Sequence, residues 1–341
     1  MKKLRVAING FGRIGRVLTR LNHKLNIFDL VMINDINSDV NNLLYLLKYD
    51  SVYGSLNDHL ETRDSNILVI GKQCVKVYSY AKINEIPWKD LNIDVIVDAS
   101  GVSNNIELLS PFSEYFSYYI STTEGKQKCK TIICDVNSEN FNPAQDKYLA
   151  SSTCDAVALT PILKSILKTY QISSGSLVTL HPWLSDQKLL DSRKSNCSNI
   201  IDSYSLSRSA PISLIPKNTS ALSAAAEVLP GVDKFITSFS YRVPTTTVSS
   251  GVLTLTLNDS ITENQLYQIL NEFKLNQKYL TLDFNYDPTV SIDFSGSRYA
   301  SIVDLRWSKV NAQNLRLVYW YDNEWGYSSK TLDLIHLLSK G

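Results

Sequence analysis

The chain has 341 residues, enough for two domains rather than one, and a content of 44% apolar and 20% charged residues is ordinary for a globular protein. Its 34 basic and 33 acidic residues leave a formal net charge of +1, which removes any electrostatic case for nucleic acid or an anionic membrane as a partner. No apolar run approaches the ~20 residues of a bilayer-spanning helix.

The first stretch, "MKKLRVAINGFG", is broken at Arg5 and ends its apolar run at Gly10, too short for a signal-peptide core. Five cysteines (Cys74, Cys129, Cys134, Cys154 and Cys197) make no CxxC pair. An odd and sparse set of this kind fits a reducing compartment, and the expectation is a cytoplasmic protein with no metal site.

In chain order, "LRVAIN" (4–9) reads as a buried strand, and "GFGRIGRVLTRLNHKL" as a glycine turn running into an amphipathic helix. "FDLVMIND" (28–35) is a second strand that ends in Asp35; "DVIVDASG" (94–101) and "SYYIST" (117–122) are further short strands. Strands alternating with helices predict a parallel α/β sheet over the first ~150 residues. After Cys154 one helix, "DAVALTPILKSILKTY", gives way to the β-rich runs "SGSLVTLHPWL", "ITSFSYRVPTTTVSSGVLTLTLN", "YASIVDLRW" and "NLRLVYWYDN". Their alternation predicts a mainly antiparallel sheet in a second domain, and "KTLDLIHLLSK" closes the chain as a helix. The expected division is 1–153 for the first domain and 154–323 for the second.

"INGFGRIGR" places Gly10, Gly12 and Gly15 as G-x-G-x-x-G between a strand and a helix, and Asp35 follows Gly15 by 20 residues at the end of the next strand. Glycines there permit a tight turn and close approach to a pyrophosphate, the helix N-terminus supplies N–H groups and positive dipole, and an acid at Asp35 can accept from a ribose diol. The plainer alternative is a glycine turn and a capping Asp. The strand, helix and acid all fall where a dinucleotide site requires them.

Cys154 lies in "SSTCDAVALTP", where Ser152 or Thr153 can cap the following helix. A thiol in a first helical turn feels the dipole, which favours thiolate; the plainer reading is a small buried hydrophobe. The histidines are His23, His59, His181 and His336, and His181 follows a strand in the same half of the chain. A Cys and a His brought together make a nucleophile and its base.

With these residues in view, the chain resembles the phosphorylating glyceraldehyde-3-phosphate dehydrogenases over nearly its whole length. The resemblance rests on "VAINGFGRIGR", "LLKYDSVYGSL", "CDAVALTP", "LHPWLSDQ", "YRVPTTTVSSGVLTL" and "YWYDNEWGYS" in order. It implies a Rossmann domain, an α+β catalytic domain, a C-terminal helix (324–341) docking back on the first domain, and a homotetramer. It implies NAD as cofactor, held by Gly10, Phe11, Gly12, Arg13, Ile14, Gly15, Asp35, Ser121, Asn323 and Tyr327. A small phosphorylated aldehyde would be attacked by Cys154, with His181 as base, and Thr153, Thr219, Arg242 and Arg208 would bind phosphate. The plainer reading of "YDNEWGY" is an aromatic turn with an Asn cap.

The chain also departs from that family. The nucleophile is normally followed by Thr-Thr-Asn-Cys; here Asp155, Ala156, Val157 and Ala158 follow it. Leu184 stands where a phosphate-binding Thr is usual, and Leu206 where an Arg is usual, with Arg208 and Lys217 as nearby substitutes. Each charge-assisted hydrogen bond is worth roughly 1.5–3 kcal/mol, so losing two weakens phosphate binding by about 10²–10⁴ without compensation. Asp155 stabilises the helix start by ~0.3–1 kcal/mol, yet opposes an anion about 6 Å away by roughly 3 kcal/mol. A changed substrate or acyl acceptor, with the acid released by water as in an erythrose-4-phosphate-type enzyme, is therefore an alternative; a weakly catalytic binding or regulatory paralogue is another. In "LLDSRKS" the residues Ser192 and Arg193 replace the usual Leu-Pro, so NADP stays open as a second cofactor through Arg193.

Overall fold

The computed structural model describes residues 3–193 and 200–340; Cys197 lies outside them. The chain divides into two compact units, 1–152 with 328–341, and 153–327.

The first unit is built on nine strands: β1 (Arg5–Asn9), β2 (Asp29–Asn34), β3 (Leu60–Arg63), β4 (Ile67–Ile70), β5 (Gln73–Tyr78), β6 (Val95–Asp98), β7 (Tyr118–Ser121), β8 (Lys130–Thr131) and β9 (Tyr148–Ala150). Their order is β3-β4-β5-β2-β1-β6-β7-β9-β8, parallel except where β4 meets β3 and β5. Val6, Ala7 and Ile8 of β1 are fully buried, as a strand in the middle of a parallel sheet must be when both faces are covered. The chain steps from β1 to β2 on one side and returns to β6 on the other. That places a topological switch point between β1 and β6, where α/β sheets open a crevice for ligands.

Helices α1 (Arg13–Leu25) and α2 (Val40–Lys48) follow β1 and β2, and α3 (Asn105–Leu109) follows β6. A buried Arg20 joins α1 to the end of α2, donating to the carbonyls of Leu47, Lys48 and Gly54. Lys and Arg are rarely interior unless so paired, and burial lowers the pKa of this guanidinium, against the pull of Asp50.

The second unit opens with α4 (Cys154–Leu167) and runs through β10 (Ile172–Pro182), α5 (Ile200–Ser205), β11 (Ile215–Lys217), α6 (Ala221–Ala226), β12 (Ile236–Val243), β13 (Ser249–Leu257), α7 (Glu263–Asn276), β14 (Leu282–Asn285), β15 (Ser301–Asp304), β16 (Lys309–Asn311) and β17 (Asn314–Tyr321). The last helix, α8, spans Trp325–Leu338. The sheet order is β11-β12-β10-β13-β17-β15-β14, with β16 on β17. It is mostly antiparallel, with parallel pairs β10–β12 and β14–β15. The single long run read over 236–258 breaks into two strands at "PTTT" because Pro244 can donate nothing to a ladder. Helix α7, which the β-rich reading of this region passed over, starts at a capping box in which Thr262 and Gln265 satisfy each other's backbone N–H groups.

One face of this sheet is apolar and packs on α4, α6 and α7; Leu177, Leu253, Leu255, Leu315, Leu317 and Tyr319 belong to that core. The period-2 alternation of strands therefore decides which polar side chains also point inward. On β10 Leu177, Thr179 and His181 are buried while Ser176 and Leu180 are exposed. His181 is carried to the N-terminal end of α4 by that alternation.

Candidate active site

Helix α4 begins at Cys154 because Thr153 is extended and its hydroxyl accepts from the Ala156 N–H at 3.4 Å. Of the two caps the sequence offered, Thr153 is the one used; Ser152 sits at φ +65°. The Cys154 Sγ lies 3.5 Å from His181 Nε2. The other ring nitrogen, Nδ1, is 2.8 Å from the Pro182 carbonyl oxygen, which can only accept, so the proton belongs on Nδ1. Nε2 then presents a lone pair to the thiol, the arrangement a base for this sulfur requires.

The sulfur has a second polar neighbour. Asp155 Oδ1 stands 3.5 Å from Sγ and accepts from the Tyr321 hydroxyl at 2.6 Å. Its other oxygen, Oδ2, accepts from the Thr219 hydroxyl at 3.1 Å. Asp155 is nearly buried, and burial pushes its carboxyl pKa up. His181, the Tyr321 hydroxyl, Arg242 and Thr219 outweigh that and hold it below the usual carboxylate range.

The groups around the thiol weigh against the thiolate that a helix dipole alone would favour, as the acid at Asp155 led one to expect. Burial, and then the Asp155 carboxylate, push the Cys154 thiol well above its ordinary pKa, with Arg242 pulling the other way. Burial and the Arg242 cation lower His181 to about 4. A dipole worth ~0.3–1 kcal/mol does not overcome these. Both shifts act toward a thiol and a neutral imidazole in the resting pair.

Arg242 and Lys217 arrive through sheet register. His181 pairs with Arg242 across β10–β12, and Lys217 pairs with Ser240, two residues before Arg242, across β11–β12. Partners directly opposite in a ladder share a face, so both cations join the face that carries His181. Burial and mutual repulsion lower the Lys217 pKa, while Asp155 and Cys154 raise it.

Arg208, the other cation read as a phosphate ligand, is two-thirds exposed and pairs with Asp191 at 2.9 Å. Lys217 rather than Arg208 is the second cation acting on this cluster. Leu184 is exposed and Leu206 half-buried, and neither offers a polar group. Ser192 donates its N–H to the Ser207 carbonyl, and Arg193 is exposed.

Tyr321 is the residue the sequence reading missed. It stands 166 positions from Asp155. Gly251 lies opposite Tyr319 on β13–β17, and a Cβ there would overlap the Tyr319 ring. Tyr319 occupies that space and stacks on Tyr321 at 5.9 Å, two residues on along the same face. The alternation in "NLRLVYWY" signals that inward face; nothing in it signals the carboxylate at its end.

In the first unit Gly10 has φ +91°, and a Cβ on it would lie 2.6 Å from the Ser100 nitrogen and 2.7 Å from the Ala99 oxygen. Around a Cβ on Gly12 there is nothing within 4 Å, and no side chain caps α1. That open space against a helix N-terminus suits a pyrophosphate. Arg13 spends its guanidinium on Asp50 at 2.5 Å and lies over the Tyr53 ring; Ile14 is half-buried and Gly15 buried beside the Gly10 carbonyl.

Asp35 accepts from the Phe11 N–H at 2.6 Å and the Asn37 N–H at 2.9 Å, tying the glycine loop to the end of β2. A buried network that sequence reading did not find joins the strand ends. Asp98 accepts from Asn9, Ser100, Asn105 and Tyr119, and Asn34 donates to Asn9. Ser121 ends β7 with its hydroxyl 2.8 Å from that of Thr123.

Asn323 is not the cap of the last helix. Asp322 takes that place, accepting from the Glu324 and Trp325 N–H groups at 3.0 and 2.8 Å. This leaves the buried Asn323 side-chain oxygen without a hydrogen-bond partner, a costly state that a bound amide would relieve. Tyr327 is buried, its N–H donating to the Asp322 carbonyl. In the first unit, the glycine turn, the open space at Gly12 and Asp35 at the end of β2 thus fit the pyrophosphate and ribose of a dinucleotide.

Cys154, Asp155 and His181 also bring three possible ligand atoms within 4.8 Å of one another, but Arg242 and Lys217 beside them oppose a cation there. Among the described residues no helix is long and apolar enough to cross a membrane.

Comparison with known proteins agrees over both units. The model of the glyceraldehyde 3-phosphate dehydrogenase NAD binding domain matches residues 4–106, and that of the C-terminal domain of the same enzymes matches 153–323. The cytosolic glyceraldehyde-3-phosphate dehydrogenase of Pisum sativum is 32% identical over 340 residues, covering 99% of this chain and 98% of its own. The glyceraldehyde-3-phosphate dehydrogenase of Borreliella burgdorferi is 32% identical over 348 residues, covering 99% of this chain and 100% of its own.

Proposed function

The chain belongs to the glyceraldehyde-3-phosphate dehydrogenase family, and from that premise we propose that it oxidises a small phosphorylated aldehyde, glyceraldehyde 3-phosphate first among them, through a thiohemiacetal and a thioester on Cys154. The observation that carries this reading is the 3.5 Å approach of His181 Nε2 to the Cys154 sulfur at the start of a helix. NAD, when bound, supplies the hydride acceptor.

The rest is work for the chain's own side chains. The thiol is neutral at rest, so His181 Nε2 takes its proton as the sulfur attacks the aldehyde carbon. His181 gives that proton to the new oxyanion and takes it back as hydride departs, leaving a thioester with the proton on Nε2. Arg242, with Lys217 beside it, attracts the substrate's phosphate, and Thr153 and Thr219 are the neighbouring hydroxyls. Gly10, Phe11, Gly12, Arg13, Ile14 and Gly15 form the pyrophosphate turn, Arg13 and Ile14 through their backbone. Asp35 faces the ribose, and Ser121, Asn323 and Tyr327 serve the nicotinamide end. The family likeness supports a homotetramer in the cytoplasm as part of this reading.

A second reading, oxidation with release of the free acid, is favoured by Asp155, Leu184 and Leu206, which remove phosphate-binding groups. The test is a panel of phosphorylated aldehydes with NAD or NADP, each with and without inorganic phosphate. Turnover of glyceraldehyde 3-phosphate above other aldehydes supports the first reading. Failure to reduce NAD with any aldehyde, together with a Cys154 that alkylates no faster than the other cysteines, would instead make the chain a binding or regulatory paralogue.

A further inference from the structure

Oxidation of the aldehyde leaves Asp155 unused, although its carboxylate stands as close to the sulfur as His181 does, 3.5 Å on Oδ1. The groups that would receive an anion beside the thiol already face this one. Thr219 donates to Oδ2 and Tyr321 to Oδ1, and the charge of Asp155 acts on both Arg242 and Lys217. The chain thus carries its own anion next to the acyl carbon.

An inorganic phosphate arriving there must compete for the same hydroxyl and cations while being repelled by a fixed like charge. A water molecule is neutral and meets no such opposition. A carboxylate has about four acceptor sites, and Tyr321 and Thr219 occupy two. The remaining lone pairs can take the proton of a water on the acyl carbon of Cys154.

We propose that Asp155 is the general base of the second half-reaction and that it makes water, not inorganic phosphate, the acyl acceptor. This rests on the thioester proposed above. As the water oxygen bonds to the acyl carbon, one of its protons passes to the Asp155 carboxylate. The tetrahedral oxyanion then collapses, and the carbon–sulfur bond breaks with its electron pair on sulfur. The departing sulfur takes up the proton held by Asp155, and the carboxylic acid is released and ionises in solvent. One water is consumed and no oxidant. His181 serves the first half-reaction and Asp155 the second, each 3.5 Å from the same sulfur.

Acylating the full-length protein with p-nitrophenyl acetate, without NAD, isolates this half-reaction. The burst of nitrophenolate reads acylation of the thiol, and the steady state reads deacylation. The products, acetate and acetyl phosphate, are counted with and without phosphate. Wild type should release acetate, its steady state changed less than about twofold by phosphate. Asp155→Asn should slow the steady state by about 10²-fold, the lower end of the range for a general base, far more than the burst. Acyl-enzyme should accumulate in its intact mass while the unfolding midpoint shows the fold retained. Asp155→Thr should shift the product toward acetyl phosphate, which a merely structural role for the carboxylate would not do. Acetyl phosphate as the main wild-type product, or an Asp155→Asn variant that deacylates at the wild-type rate, overturns the proposal. A protein that shows no burst and no adduct on Cys154 fails differently, by removing the thioester itself.

Discussion

The glycine turn and the thiol pocket have diverged to different degrees. At the turn the sequence keeps the G-x-G-x-x-G spacing, and the structure shows why little else could stand there: φ +91° at Gly10 and open space only at Gly12. At the thiol the cysteine and histidine stand together, but the next residue is an acid bonded to Thr219 and Tyr321. The first region acts through backbone shape, which tolerates no substitution that fills or strains it. The second acts through side chains, which can be exchanged one at a time while the strands beneath keep their register. Side chains over a fixed register are easier to exchange than a turn defined by its backbone.

The comparison breaks most sharply at the sulfur. Cys154→Ser should abolish aldehyde oxidation while NAD affinity, measured by fluorescence titration, stays near wild type. Substantial turnover in the serine variant would remove the thiol from the chemistry altogether.

His181→Asn should slow NAD reduction by roughly 10²–10⁴, the usual loss for a general base. The same variant tests pH-dependent stability. His181 is lowered to about 4 in the folded chain against 6.5 for an ordinary imidazole, so as pH falls the unfolded chain takes up the proton first. Its contribution to stability is whole above pH 6.5 and declines as pH drops toward 4. Chemical denaturation of His181→Asn across that interval should show a shallower decline, and parallel curves would show that the imidazole is not held neutral.

The two glycines sharpen the other side. Gly10→Ala forces a left-handed backbone and a backbone clash, costing about 2–4 kcal/mol, read as a lowered unfolding midpoint. Gly12→Ala meets nothing in the protein, so its midpoint should move little while NAD affinity falls. A Gly12→Ala variant with unchanged affinity would mean the open space is not where the pyrophosphate lies.

Tyr321→Phe removes the hydroxyl from Asp155 and should cost about 1.5–3 kcal/mol, the range for a hydrogen bond to a charged group. Asp155 is depressed when folded, so its contribution is present above the ordinary carboxylate pKa and fades as pH falls through the depressed value. The Tyr321→Phe deficit should therefore be larger at neutral than at acid pH; a pH-independent deficit would assign it to packing alone. The smallest effect expected is at Arg193. NAD should be preferred, NADP use should be measurable, and Arg193→Ala should diminish only the latter. Equal NADP turnover in the variant would reduce this exposed residue to a solvated loop position.

The sequence by itself determined the parts that depend on local spacing. The glycine turn, the strands Arg5–Asn9 and Asp29–Asn34 flanking it, and the helix that begins at the thiol all follow from neighbours a few positions apart. The Cys–His pair was legible as a candidate because both residue types are scarce. The tertiary structure alone decided what surrounds that pair. Ladder register set Arg242 opposite His181 and set Lys217 rather than Arg208 beside them. A tyrosine 166 positions away supplies Asp155 with its shortest hydrogen bond. Desolvation and the Asp155 carboxylate then raise the pKa of the half-buried thiol, against the pull of one helix terminus. Local patterns are written in adjacent residues, whereas the field at a catalytic atom sums over groups that only folding brings together.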